Sequence, residues 1–265
     1  MLTVRRTKLA VVMASVLLSG MANAAEKSTP VFTPEQETRI GEIAKDYLLA
    51  NPEVLVEVSQ RLQAQQQEKQ QQAMTATVIQ NQDALLNDKS TPSYGPADAK
   101  VTVVEFFDYQ CIYCARLAPE LETVVKANPN VRFVFKELPI FGSRWPASLT
   151  AAKTGLQIYQ QKGSEAYLQY HNAVYATGHN EGKLTDADIS TAAKSVKFDV
   201  KTAPNVQGTL EGIGALAQQL GLSGTPALVV MPSSGASADN VTAIPGFTDG
   251  QTLNAAIQKA AGGIH

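Results

Sequence analysis

Cysteine is scarce in this chain. Among 265 residues there are two, Cys111 and Cys114, two residues apart. A structural zinc site takes four ligands. No second pair exists, and the histidines are His171, His179 and the terminal His265. That disfavours structural zinc, and no metal ligands are assigned. Positive charge is not in excess: 22 Lys and Arg face 24 Asp and Glu, a net charge of −2. Such a balance argues against a nucleic-acid partner. The apolar run Leu9–Leu18 is too short to span a bilayer. Internal repeats are absent. Apolar content is ordinary for a globular protein, and the length suits one or two domains with a real core.

The first residues read as an export signal. Arg5, Arg6 and Lys8 form a basic start, Leu9–Leu18 an apolar stretch, and Ala22-Asn23-Ala24 a small-x-small cleavage site. Residues 1–24 are thus expected to leave, with Ala25 as the new N-terminus. Arg5-Arg6 also fits twin-arginine export, although an ordinary basic start is the simpler reading. Cleavage removes three positive charges and makes the mature chain more acidic. Export carries the cysteine pair to an oxidising compartment, the periplasm. A disulfide stabilises a fold mainly by closing a long loop. A Cys-x-x-Cys loop is very short, so the pair suits redox chemistry better than a structural staple.

Residues 25–89 read as an N-terminal helical arm. Thr33 caps a helix, Pro34 takes its first position and Gln36 completes a capping box. Ile40, Ile43, Ala44, Tyr47 and Leu48 share one face. Asn51-Pro52 interrupts, and Val54, Leu55, Val58 and Leu62 resume an apolar stripe. Gln63–Gln72 holds no large apolar residue but many acceptable helix formers. Val78, Ile79, Leu85 and Leu86 restore apolar positions. An amphipathic helix without a core of its own needs a partner. Either the catalytic domain or the same arm of another subunit would serve, and the second is preferred. On this reading, removal of residues 27–88 leaves a folded monomer.

Residues 90–265 read as the catalytic domain. Ser90–Lys100 is expected to be a linker, with Pro92, Gly95 and Pro96. Val101–Phe107 is a continuous apolar run typical of a buried strand. After a turn at 108–110 the period becomes helical, with Cys114, Leu117, Ala118, Leu121, Val124 and Val125 on one face. Asn128-Pro129-Asn130 stops it, and 131–135 is a second strand. A helical insertion follows over about 143–220. Strands at 227–231 and 241–244 and a helix at 251–261 complete an α/β domain.

The cysteines therefore open a helix that follows a buried strand. Unpaired N–H groups and the helix dipole favour an anion there. Cys111 is expected to be the exposed nucleophile, because thiolate is the reactive species. Cys114, one turn in, is expected to be more buried and to resolve the mixed disulfide. Ile112 and Tyr113 are uncharged and would tune access. Glu105 is either a buried proton relay beneath Cys114 or a solvated acid at a strand edge. Thr225-Pro226 precedes a strand, where a cis peptide would place backbone beside the cysteines. His171 and His179 read as surface or interhelical residues. Tyr167, Tyr170 and Tyr175 read as packing, and so does Trp145.

Val103-Val-Glu-Phe-Phe-Asp-Tyr-Gln-Cys-Ile-Tyr-Cys114 resembles the DsbA family of periplasmic disulfide oxidoreductases. Glu137-Leu-Pro-Ile-Phe-Gly142 and Gly224-Thr-Pro226 resemble two further segments of that family. The resemblance implies a thioredoxin-like fold with a helical insertion, a cis-Pro226, a substrate-contacting loop at Thr225 and an acid at Glu105. The segment Tyr47-Leu-Leu-Ala-Asn-Pro-Glu-Val-Leu55 narrows it to relatives with added N-terminal helices, the suppressor-of-copper-sensitivity C and BcfH-like proteins. Those imply a homo-oligomer, trimeric in some members, whose catalytic domains face a shared space suited to isomerisation. Expected partners are secreted proteins bearing disulfides and a membrane reductase or oxidase; no cofactor is needed beyond the Cys111–Cys114 disulfide. The family often has Pro after the first cysteine, where this chain has Ile112. Two other functions fit the same residues. One is Cu(I) binding by the two soft sulfurs. The other is an assembly module whose short disulfide pins a turn.

Overall fold

The computed structural model describes residues 31–199 and 202–262. The leader expected at 1–24 and the terminal His265 lie outside them. The described chain forms two compact units that divide between Gln60 and Arg61.

The first unit begins with helix α1, Pro34–Ala50. The Thr33 hydroxyl accepts from the Gln36 N–H at 3.3 Å, and the Gln36 side chain accepts from the Thr33 N–H at 2.8 Å. Two orphan donors are thereby satisfied. At the other end the Asn51 side chain donates to the Tyr47 carbonyl, and Pro52 follows. None of the α1 residues is buried. Ile40, Ile43 and Tyr47 are exposed, and so are Leu55, Val58 and Leu62 of the next helix, α2 (Glu53–Gln80).

The second unit does not begin at the expected domain boundary of 89/90. It starts within α2 and includes α3, Gln82–Leu86. Val78, Leu85 and Leu86 are buried in one cluster with Val104 and Phe106 and with Val229 and Met231. Sequence alone placed these residues in the arm because half of their named partners, Val229 and Met231, lie more than a hundred residues away. Behind them Lys136 is buried, and its Nζ donates to the Ala84 carbonyl at 2.9 Å and to the Thr91 hydroxyl at 3.1 Å. Burial pushes the Lys136 pKa down against the pull of Asp88, 3.5 Å away.

The sheet has five strands in the order β1-β3-β2-β4-β5. They are β1 (Ser93–Tyr94), β2 (Val101–Phe107), β3 (Arg132–Glu137), β4 (Ala227–Pro232) and β5 (Thr242–Pro245). The two-residue β1 lies inside the expected linker, because Ser93 and Tyr94 pair with Val134 and Phe133. β2 runs parallel to β3 and antiparallel to β4. Every residue of β2 is buried, Thr102 and Glu105 included, as in a strand covered on both faces. Strand alternation divides the core. Val103 and Phe107, with Phe133 and Phe135, face α4 (Ile112–Ala127), α6 (Ser164–Ala176) and α9 (Gly250–Ala260). Val104 and Phe106 face α2, α3 and α8 (Gln207–Gln219). With α5 (Pro146–Lys162) and α7 (Asp186–Ser195), the insertion supplies four helices among the described residues. This is the α/β fold with helical insertion that the sequence implied.

Candidate active site

The C-terminal ends of β2 and β3 and the start of β4 lie together, since Phe107 pairs with Glu137 and Phe106 with Ala227. The turn between β2 and α4 is built on Asp108. Its carboxylate accepts from the Gln110 N–H at 2.8 Å, the Phe141 N–H at 2.9 Å and the Ser148 hydroxyl at 2.9 Å. Burial nevertheless raises its pKa. Gln110 in turn accepts from Glu181 and Gly182 of the insertion. The turn that aims Cys111 is thus clamped from two sides. Sequence reasoning placed the turn at 108–110 but gave the Asp108 carboxylate no part in it, although an Asp two residues before a turn N–H is a known turn former.

Cys111 is the N-cap of α4, with extended backbone, and its side chain caps nothing. The residue is 4% exposed and Cys114 0%. The expected exposed nucleophile is therefore mostly covered, with the Thr225 carbonyl 3.2 Å from its sulfur. The Thr225–Pro226 bond is cis. The Cys111 Sγ donates to the Thr225 carbonyl at 3.2 Å. The Thr225 hydroxyl is buried and unpartnered beside the neutral thiol. The Cys111 pKa is lowered to about 6, chiefly because the Cys114 thiol donates to its thiolate. Burial opposes this, while the Thr225 hydroxyl and the N–H groups of Cys114 and Tyr113 add to it. Burial drives the Cys114 pKa well up, and donation to the Cys111 thiolate drives it further. One sulfur is prepared as an anion and the other as a proton holder.

Glu105 lies in the central strand β2, paired with Phe135 on one side and Leu228 on the other. The strand-edge reading fails: the residue is 2% exposed and its Oε2 has no partner. Burial, with the nearby Cys111 charge, raises its pKa to about 8. Ile112 is half-buried and Tyr113 is 51% exposed, with the Arg116 guanidinium 5.5 Å over its ring. Phe247 and Ile140 are exposed.

Two groups were missed. Glu137 is fully buried, and its Oε1 accepts from the Tyr109 hydroxyl at 3.1 Å and the Tyr167 hydroxyl at 2.9 Å. His171, read as surface or interhelical, is buried among Phe107, Phe135, Tyr167 and Tyr175. Burial lowers its pKa to about 4, so it is neutral near pH 7. Both carried a signal. Glu137 follows Phe133 and Phe135 at strand alternation, and His171 lies four residues from Tyr167 and from Tyr175. His179 is exposed and pairs with Asp188 at 3.0 Å. Trp145 packs on Phe141 and lies under Arg144.

A buried central strand, a helix opened by a low-pKa cysteine and a cis-proline beside it define a thioredoxin-like class of protein. The family model described as "Thioredoxin" matches residues 87–248. That described as "Copper resistance protein ScsC N-terminal domain" matches 36–69. The structure is similar to BcfH of Salmonella enterica Typhimurium, with a TM-score of 0.74 and 44% identity over 85% of this chain and 96% of that one. It is also similar to ScsC of Proteus mirabilis in a transitional conformation, at TM-score 0.60 and 30% identity over 89% of this chain and 100% of that one. Among curated relatives, the thiol:disulfide interchange protein DsbA of Bordetella pertussis is 29% identical over 51% of this chain and 66% of its own length. The Na(+)/H(+) antiporter NhaA 3 of Salinispora tropica is 28% identical over 51% of this chain, which spans 21% of that protein's length. The chain belongs to the thioredoxin family of thiol–disulfide oxidoreductases, and within it to the DsbA-family group of ScsC- and BcfH-like proteins.

Proposed function

We propose that this protein is a periplasmic disulfide isomerase and oxidase acting on secreted proteins, with Cys111 as nucleophile and Cys114 as resolving thiol. The observation that carries the reading is the split between the two sulfurs: Cys111 is lowered to about 6 while Cys114 is held well above 9.0. In isomerisation the Cys111 thiolate attacks one sulfur of a client disulfide, and the other leaves as a client thiolate. That thiolate attacks elsewhere in the client, and a final client thiolate displaces Cys111. No electrons are gained or lost. In oxidation a client thiolate attacks the Cys111 sulfur of the enzyme disulfide and Cys114 leaves. A second client thiolate then releases Cys111, and the enzyme leaves reduced. A membrane reductase or oxidase restores whichever form is used up.

Glu105 is the proton acceptor when Cys114 becomes the attacking thiolate and the proton donor when it leaves. A carboxyl with a pKa near 8 can do both near neutral pH. Thr225 contacts the client, and its hydroxyl steadies the Cys111 thiolate. Tyr113, Ile140 and Phe247 supply exposed apolar contact around the site. The exposed stripes of α1 and the first turns of α2, in the stretch matching the ScsC N-terminal model, assemble the chain as a homo-oligomer, a trimer in this reading. Export follows from the leader-like residues 1–24.

Equilibration in graded glutathione buffers tests the reading. A potential above about −200 mV for Cys111–Cys114 supports a catalytic pair, and one below about −300 mV an inert bond. Reactivation of a scrambled client then separates isomerase from oxidase. A second reading, Cu(I) held by the two sulfurs, draws on the copper-resistance description of the matching N-terminal model. Stoichiometric Cu(I) uptake without activity on a scrambled client would favour it.

A further inference from the structure

One face of the second half of α2 is docked. Gln71, Met74, Thr75 and Val78 follow the spacing of a single helical face. The Gln71 side chain donates to the Ala243 carbonyl of edge strand β5 at 3.1 Å. Thr75 and Val78 are buried, and Val78 packs in the cluster that holds Ala227, Val241 and Ala243. Met74, on the same face, is half-buried against that cluster. It lines a pocket of about 190 Å³ together with the 221–226 loop and Pro245-Gly246.

Thr225 belongs both to this pocket and to the redox site, since its carbonyl lies 3.2 Å from the Cys111 Sγ. Thr225 thus links the pocket to the sulfur to which a client becomes bonded. None of its lining residues carries a charge. Gly224 leaves its wall open: a Cβ there would meet nothing within 4 Å. Methionine suits such a lining, because its flexible thioether adapts to apolar groups of different shape. Met74 lies outside both stretches that match family models.

We propose that this pocket is a subsite for an apolar side chain of the client next to its reacting cysteine, and that Met74 of α2 is a specificity-determining residue. α2 then takes part in choosing the client. The proposal rests on the oxidoreductase reading and deepens it.

The test uses the full-length protein and short peptides, each joined through its one cysteine to a fluorescent thiol. The Cys111 thiolate takes the peptide sulfur and the fluorescent thiolate leaves. The peptides differ only in the residues flanking cysteine: Leu, Gly or Asp. The expected kcat/KM for the leucyl peptide exceeds that for the glycyl peptide roughly tenfold, through KM. Met74→Asp places a charge in the pocket lining, and Gly224→Val adds bulk at a lining position where a Cβ meets nothing within 4 Å; each brings the ratio to about one. Met74→Leu retains it. A wild type without flank preference, or a preference surviving both substitutions, overturns the subsite. Failure to exchange with every peptide and with glutathione disulfide overturns the oxidoreductase reading itself, which separates the two failures.

Discussion

The Cys111 Sγ donates to the carbonyl oxygen of Thr225 at 3.2 Å, which holds the nucleophile against the residue before cis-Pro226. Ionisation of the thiol ends that donation, and the sulfur becomes an acceptor for the Cys114 thiol and the Thr225 hydroxyl. The rate of Cys111 alkylation by iodoacetamide should therefore rise with a midpoint at about pH 6, far below the ordinary 9.0. Cys114→Ala removes the largest lowering influence and should move the midpoint up. Thr225→Val should move it up by less. A midpoint that stays near 6 in Cys114→Ala would contradict the assignment.

The same shift links pH to stability. Between about 6 and 9.0 the unfolded Cys111 thiol binds more protons than the folded one. The stability it lends the reduced protein is complete above 9.0 and lost as pH falls through about 6. The oxidised protein has no such titration. Thermal melts should show the reduced form gaining on the oxidised form as pH rises across that window.

Glu105 has the opposite sign. Its folded pKa of about 8 lies above the ordinary 4.5, so wild-type stability should fall as pH rises from 4.5 to 8. Glu105→Gln abolishes that fall and should be more stable than wild type at pH 8, because a buried unpaired charge is costly. At pH 7 it should also slow release of a mixed disulfide by Cys114, by about 10²-fold. Stopped-flow decay of the mixed disulfide measures this, and an unchanged rate would remove Glu105 from the proton path.

The start of the second unit within α2 has its own consequence. Residues 61–265 keep Val78, Leu85 and Leu86, whereas residues 89–265 lose all three from the sheet-face cluster. Each buried side chain contributes about 1.5–3 kcal/mol. The longer cut also removes the Ala84 carbonyl and Asp88 from the buried Lys136. The loss is a large part of an ordinary domain stability of about 5–15 kcal/mol. Residues 61–265 should fold as a redox-active monomer with weak isomerase activity. Residues 89–265 should melt far lower or fail to fold.

The strands, the cysteine helix and the Thr33 cap were legible because each rests on local pattern. Val101–Phe107 announces burial on both faces, and Thr33 and Gln36 satisfy each other within one turn. The docking face of α2 was not legible. Its polar members Gln71 and Thr75 gain meaning only from β5, which follows by more than 160 residues. The hydrogen bond of the Cys111 thiol likewise depends on a distant residue, Thr225. For Glu105 the alternatives narrowed once β2 proved to be a central strand, since sequence carries no record of which strand lies at an edge.

Gly155 in α5 is where the buried carboxyl cluster meets the insertion. A Cβ there would come 2.6 Å from the Glu137 Oε1 and 3.3 Å from the rings of Tyr167 and Tyr170. That oxygen cannot easily move, because the Tyr109 and Tyr167 hydroxyls both donate to it. Burial pushes the Glu137 pKa well up, against the two tyrosine hydroxyls that donate to it. Gly155→Ala gains up to about 1 kcal/mol in helix propensity. It loses about 1–3 kcal/mol to overpacking, and more if a tyrosine hydroxyl is left unpaired. The net loss should lower Tm by several degrees, at about 2–4 °C per kcal/mol for a domain of this size. Glu137→Ala in the same background removes the clashing oxygen, so Gly155→Ala should cost less there than in wild type. Equal costs in the two backgrounds would show that the clash lies elsewhere.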